Sequence, residues 1–160
     1  MTDTTSPTSP PTALGELTIV RTHAAPPELL FDCMTTPAHL ARFWGPKGST
    51  TPVGNITVDL RPGGAFETVM VSDDDGTEYS MHALYVTIER PTRLVFTERD
   101  VEGGLTTTVT FRDLGDGRTE VTTHQTNVPT EYLTPENRAG FESSLDRFDD
   151  YVAELGAAGS

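Results

Sequence analysis

From Gly15 onward the chain is a succession of short segments in which apolar and polar side chains alternate, separated by Gly, Pro and Asp. Leu17-Thr18-Ile19-Val20-Arg21 alternates as a strand does, and so do residues 55–60, 65–71, 78–88, 93–99, 106–112 and 119–127. The separators are turn-forming: Arg61-Pro62-Gly63-Gly64, Asp73-Asp74-Asp75-Gly76, Arg90-Pro91, Gly103-Gly104 and Gly115-Asp116-Gly117. Strands at this spacing, joined by hairpin-type turns, predict a meandering antiparallel sheet. Threonine-rich stretches such as 106–108 and 122–126 suit it because β-branched side chains pack well on a pleated surface.

Three segments break the alternation and read as helices. Ala25-Pro26-Pro27-Glu28 opens the first, which runs through Leu29, Leu30, Phe31 and Cys33 to about Met34. The second is brief: Thr36 is placed to cap it, Pro37 suits its first position, and Gly45-Pro46 stops it just after the aromatic pair Phe43-Trp44. The last has Thr134 as cap, Pro135 and Glu136 in its first turn, and Gly156 after its final residues. Along it Phe141, Leu145, Phe148, Val152 and Leu155 form one apolar stripe, and about 21 residues would span about 31 Å. Only the sheet offers an apolar surface of that length, so the sheet must curl around the helix. The expectation is an α+β helix-grip fold: a curved antiparallel sheet of six to seven strands around a long C-terminal helix. A space is expected between sheet and helix, with two short helices after the first strand plugging one end and Phe43 and Trp44 at the plug.

Length and composition narrow the function. A chain of 160 residues is one domain, predicted over 15–156, with a Thr/Ser/Pro-rich disordered tail over 1–14 and a flexible C-terminus over 157–160. The net charge of −13 argues against nucleic acid and anionic membrane surfaces, both of which need clustered Lys and Arg. The single cysteine, Cys33, excludes an intramolecular disulfide and reads as a buried, inert thiol. No apolar run reaches the ~18 residues of a membrane span, and no signal-peptide core is seen. A cytoplasmic protein is expected.

The runs Ala25-Pro26-Pro27-Glu28-Leu29-Leu30-Phe31 and Trp44-Gly45-Pro46-Lys47-Gly48 resemble the START-like helix-grip (SRPBCC, birch-pollen-allergen-like) superfamily. Within it the chain resembles the branch of homologues of the heat-shock-protein-90 ATPase activator. Asp59-Leu60-Arg61-Pro62-Gly63-Gly64, Tyr85 with Ile88, Pro91 with Arg93-Leu94-Val95-Phe96-Thr97, and the last helix carry the same resemblance over residues 16–155. It implies the fold. The superfamily spans lipid binders, cyclases, aromatases and co-chaperone domains, with no shared catalytic set to transfer. Two positions depart from the branch: Ala83 stands where many relatives have glycine, and Glu98 where an aromatic is frequent.

Period-two alternation groups Phe66, Thr68 and Met70 on one face, then Leu94, Phe96 and Glu98, then Val109 and Phe111. In the long strand Met81, Ala83 and Tyr85 oppose Ser80, His82 and Leu84, and the resemblance favours Ala83 and Tyr85 inward. The candidate ligand-binding residues are Trp44, Phe66, Thr68, Met70, Ala83, Phe96, Phe111, Phe141 and Leu145, positions a plain core would also fill. Glu98, Tyr85 and His82 are the candidate catalytic groups. A carboxylate buried at the end of an apolar row titrates toward neutrality and can act as acid or base, whereas Glu98 beyond the cavity would pair with Arg99 or water.

No metal and no cofactor are expected. His23, His39, His82 and His124 are dispersed, and the 73–76 turn has glycine too early for a calcium loop and Leu84 at its twelfth position. Ser143-Ser144 lies in a helix and Gly63-Gly64 precedes none, so neither a serine-nucleophile elbow nor a dinucleotide loop is present. Two functions remain. One is binding of a small hydrophobic or aromatic molecule, with or without modest acid/base chemistry of the cyclase or dehydratase kind. The other is a co-chaperone-like interaction domain without catalysis. A homodimer is compatible with both.

Overall fold

The first strand, β1 (Leu14–His23), lies at one edge of the sheet and pairs with the last strand, not with its sequence neighbour. The computed structural model of the chain describes residues 14–99 and 104–158; most of the predicted N-terminal tail, and residues 159–160 of the predicted C-terminal one, lie outside the described residues. Two short helices follow β1: α1 (Pro27–Thr35) and α2 (Pro37–Phe43), each opened by a proline in its first turn. Thr36 occupies the predicted cap position, but its side chain makes no capping bond. It also terminates α1, and only its carbonyl serves α2, accepting from the Leu40 N–H at 2.9 Å.

The rest is one antiparallel sheet with a terminal helix. After β2 (Ser49–Thr50) and a 3-10 turn at Val53–Asn55 come β3 (Thr57–Val58), β4 (Ala65–Ser72), β5 (Glu78–Glu89), β6 (Arg93–Glu98), β7 (Thr106–Asp113) and β8 (Thr119–Pro129). The eight strands are ordered β1-β8-β7-β6-β5-β4-β2, with β3 also on β4. This is the predicted helix-grip architecture, with six long strands and two of two residues. The predicted strand at 55–60 is cut to β3 because the chain turns at Asp59, whose N–H donates to the Ala65 carbonyl at 2.8 Å while its own carbonyl accepts from Arg61. The short β2, absent from the sequence reading, pairs with the end of β4.

A 3-10 turn at Thr130–Tyr132 leads into α3 (Pro135–Ala158), where the Thr134 hydroxyl accepts from the Asn137 N–H at 3.1 Å as a cap should. The helix runs through Gly156 where the sequence reading ended it. One glycine costs a helix only about 1 kcal/mol, and the alanines after it favour continuation.

The core lies at the plug. Leu30, Phe31, Cys33 and Leu40 are fully buried between the short helices and the sheet, with Phe31 edge-on to Phe111 at 5.6 Å. Burial raises the Cys33 thiol pKa to about 11, which suits an inert thiol. Across the sheet, Arg21 on β1 binds both Asp146 and Asp149 of α3 at 2.7 Å, and His23 Nδ1 lies 3.0 Å from Asp149.

Candidate functional site

The two halves of α3 meet the sheet differently. In the C-terminal half Phe148 is 1 % exposed, its ring 4.6 Å from Phe43 and 5.0 Å from His23, and Tyr151 and Val152 are buried beside it. In the N-terminal half Phe141 and Leu145 remain half-buried. Between that half and the inner sheet face lies a cleft of about 1040 Å³. Its floor is built from residues of the sheet: Phe66 and Met70 of β4, Met81 of β5, Leu94, Phe96 and Glu98 of β6, Leu105 just before β7, Thr107 and Val109 of β7, and Thr123, Gln125 and Val128 of β8. Phe141, Leu145 and Phe148 form its roof, and Trp44-Gly45-Pro46 one wall.

Trp44 is held in that wall from two sides. Its indole N–H donates to Thr68 Oγ1 at 3.2 Å, and its ring meets Phe66 edge-on at 5.2 Å. Behind it Arg147 of α3 donates to the carbonyls of Gly45, Pro46 and Ser49 at 2.9, 3.2 and 3.2 Å. Burial draws the Arg147 pKa below the ordinary guanidinium value, while Asp73 acts in the opposite direction. Gly45 has φ 97°, in the region that favours glycine, and a Cβ there would come within 2.6 Å of the Met70 sulfur. The wall is thus a sharp turn pinned to the roof helix by one side chain.

Of the sequence-nominated residues, Trp44, Phe66, Met70, Phe96, Glu98, Phe141 and Leu145 line the cleft together. Thr68, Ala83, Tyr85 and Phe111 do not: they are buried behind it, Thr68 holding Trp44, Tyr85 stacked 5.4 Å from Phe66, and Phe111 packed against α1. The Tyr85 hydroxyl has no hydrogen-bond partner among the described residues, and burial drives its pKa well above the ordinary phenol value. His82 alternates with Ala83 and Tyr85 and so takes the opposite face of β5. Glu98, at the end of β6, lies at the cleft, and its neighbour Arg99 is bound to Glu67 at 3.0 Å.

Sequence reasoning missed Arg147, Leu105, Thr107 and Gln125. Thr107 and Gln125 share the inward phase of Val109 and Val121 and are hydrogen-bonded to each other at 3.1 Å, so alternation could have found them. Arg147, a cation in an acidic helix just before Phe148, carried a weaker signal. Among the described residues no three His, Cys, Asp or Glu side chains converge as a metal site requires, and no helix is long and apolar enough to cross a membrane.

The same fold occurs in known structures. Protein CV1439 from Chromobacterium violaceum is 25% identical, covers 85% of this chain and 96% of its own, and superposes with a TM-score of 0.76. An AHSA1-like protein from Aeromonas hydrophila is 25% identical over 88% of this chain and 94% of its own, with a TM-score of 0.73. PFC0360w, an HSP90 activator from Plasmodium falciparum, is more distant: 24% identical over 71% of this chain and 74% of its own, with a TM-score of 0.53. No functionally curated protein is significantly similar. Residues 24–153 match the family model described as Activator of Hsp90 ATPase homolog 1-like protein, and the chain belongs to that family.

Proposed function

We propose that the cleft binds a small hydrophobic or aromatic molecule between the sheet and α3. One observation carries this reading: the N-terminal half of α3 stands off an apolar sheet face and leaves about 1040 Å³ walled by Trp44, Phe66, Phe96 and Phe141. Protein interiors are otherwise close-packed, and ligand sites are concave, mostly apolar volumes of roughly this size with a few placed polar groups. Glu98, Thr107 and Gln125 supply such groups here.

A thermal-shift screen of hydrophobic and aromatic metabolites tests it. A true ligand at a hundred times its Kd adds about 2.7 kcal/mol of stability. A broad library without a single shift would remove the reading.

Acid/base chemistry at this site would rest on Glu98, the one nominated catalytic group that lines the cleft. Glu98→Gln should keep binding of a neutral ligand and abolish any turnover. Unchanged turnover would remove Glu98 from the mechanism.

The family match and the likeness to an HSP90 activator favour a second reading, a co-chaperone-like interaction. It ranks lower because Val20 and Val86, exposed on the outer sheet face, sit on strands separated by β8, β7 and β6 and form no contiguous patch. Stimulation of purified Hsp90 ATPase by this chain would reverse the ranking.

A further inference from the structure

We propose that Thr107 and Gln125 form a hydroxyl-recognition point in the cleft floor. The cleft then selects a neutral molecule with an aromatic or alicyclic body and a hydroxyl group over a hydrocarbon of the same shape. The inference rests on the cleft being a binding site and adds the polar group that its occupant must carry.

The inner face of the sheet is laid out in rows of paired residues. One row runs Leu17, Gln125, Thr107, Phe96 and Tyr85 across β1, β8, β7, β6 and β5. The next row toward the plug runs Ile19, Thr123, Val109 and Leu94, and the one after it holds Val121 and Phe111. Phe111 is packed over by Phe31 of α1. Where the face lines the cleft instead, it takes up Thr107, Thr123 and Gln125. β-Branching explains threonines on a strand but gives no reason for Gln125. Thr119, nearer the plug, is also buried, yet its hydroxyl is spent on the Ala25 carbonyl at 2.7 Å.

The Thr107–Gln125 pair is not spent in that way. Gln125 Nε2 donates to Thr107 Oγ1 at 3.1 Å. That bond leaves the amide oxygen to accept and the Thr107 O–H to donate, and neither has another partner among the described residues. A reversed amide would exchange the two roles and still present one donor beside one acceptor. A single ligand hydroxyl satisfies both, since it donates to one and accepts from the other. An ether oxygen satisfies only the donor, and a hydrocarbon neither. Thr107 is 4 % exposed, so a ligand seated over it excludes water, and a hydrocarbon there would leave both groups unpaired.

The body of the ligand has its own place beside the pair. Phe96 is the direct partner of Thr107 on the neighbouring strand, about 4.8 Å away. It meets Phe66 edge to face at 5.1 Å, as Trp44 does at 5.2 Å, so the three rings form an apolar corner. A fused ring system lying over Phe96 toward that corner keeps a hydroxyl at its near end within reach of Thr107 and Gln125.

Three naphthalene probes with one ring system test the proposal: 2-naphthol, 2-methoxynaphthalene and 2-methylnaphthalene. Each is equilibrium-dialysed against the full chain at about pH 7, where a phenol is neutral. The naphthol should bind about tenfold or more tightly than the methyl compound, with the methoxy compound between them. A purely apolar cleft would give the opposite order, because the hydroxyl costs more to desolvate than the methyl group. Gln125→Leu and Thr107→Val should each cut the naphthol advantage severalfold. Both should leave 2-methylnaphthalene bound as tightly as before or better, which also shows that the variants are folded. 2-Methylnaphthalene binding as tightly as 2-naphthol overturns the proposal and leaves the cleft a site for apolar bodies alone. An advantage that survives both substitutions overturns the assignment to this pair; binding of none of the three removes both readings.

Discussion

The indole N–H of Trp44 donates to the hydroxyl of Thr68 at 3.2 Å, so a residue buried behind the cleft sets the position of the aromatic wall in front of it. Thr68→Val keeps the shape and removes the acceptor. Leaving a half-buried donor unpaired should cost about 1–2 kcal/mol, read as a lower urea midpoint at constant slope. Trp44 is the only tryptophan, so its emission should shift in the same variant without interference. Unchanged stability and emission would show the bond to be dispensable.

Phe148 and Phe141 lie on one stripe of α3 but should respond differently. Phe148→Ala opens a hole among Phe43, His23 and the sheet and should cost about 3–5 kcal/mol. Phe141→Ala, in the raised half, should cost a small fraction of that and instead weaken binding of any cleft ligand. Equal losses would mean that the helix grips the sheet along its whole length.

Arg147→Met removes the donors that hold the carbonyls of Gly45, Pro46 and Ser49. Hydrogen bonds from a charged group suggest a loss of about 1.5–3 kcal/mol. Amide exchange should quicken most at residues 45–49, ahead of the sheet. Uniform acceleration everywhere would argue against a local clamp.

His23 gives the stability a pH dependence of defined sign. Burial lowers its folded pKa below the ordinary 6.5, Arg21 adds to that, and Asp149 opposes it. The unfolded chain then binds the proton more readily, so this contribution is complete above the unfolded pKa and is lost as the pH falls below it toward the folded value. Urea midpoints measured from about pH 7.5 down to about pH 5 should fall on acidification, and His23→Gln should flatten that limb. A wild type that gains stability over this range would contradict it.

Tyr85→Phe deletes a buried hydroxyl that has no partner among the described residues. Stability should stay level or rise by up to about 1 kcal/mol, and cleft binding should persist. A clear loss in thermal denaturation would reveal a bond made by that oxygen.

The strands and the identity of the gripping helix could be read from the chain because both leave periodic marks: alternation gives the faces of a strand, and the stripe from Phe141 to Leu155 demands a sheet to lie on, whereas the pairing of β1 with β8 leaves no such mark. Alternation cannot say where along the stripe the helix parts from the sheet. Phe141 and Phe148 look equivalent in sequence, yet Phe141 stays half-buried over the cleft while Phe148, which also reaches it, is packed into the core. Thr68 and Ala83 are buried behind the cleft, and alternation carries no mark of this, because depth is set by what stands in front of a residue, Trp44 for Thr68. Arg147 acts through backbone carbonyls, which carry no sequence identity.

The pairing of β1 with β8 has a consequence for how the molecule is made. The strands from β4 to β8 pair with their chain neighbours, so they can zip up locally as they are synthesised. The first strand must wait for almost the whole chain to emerge before its partner exists, which places the edge of the sheet, and the Arg21 contact that ties it to α3, among the last events of folding. Until then the backbone edge of β8 is left unpaired, the interval in which this protein is most exposed to misassociation.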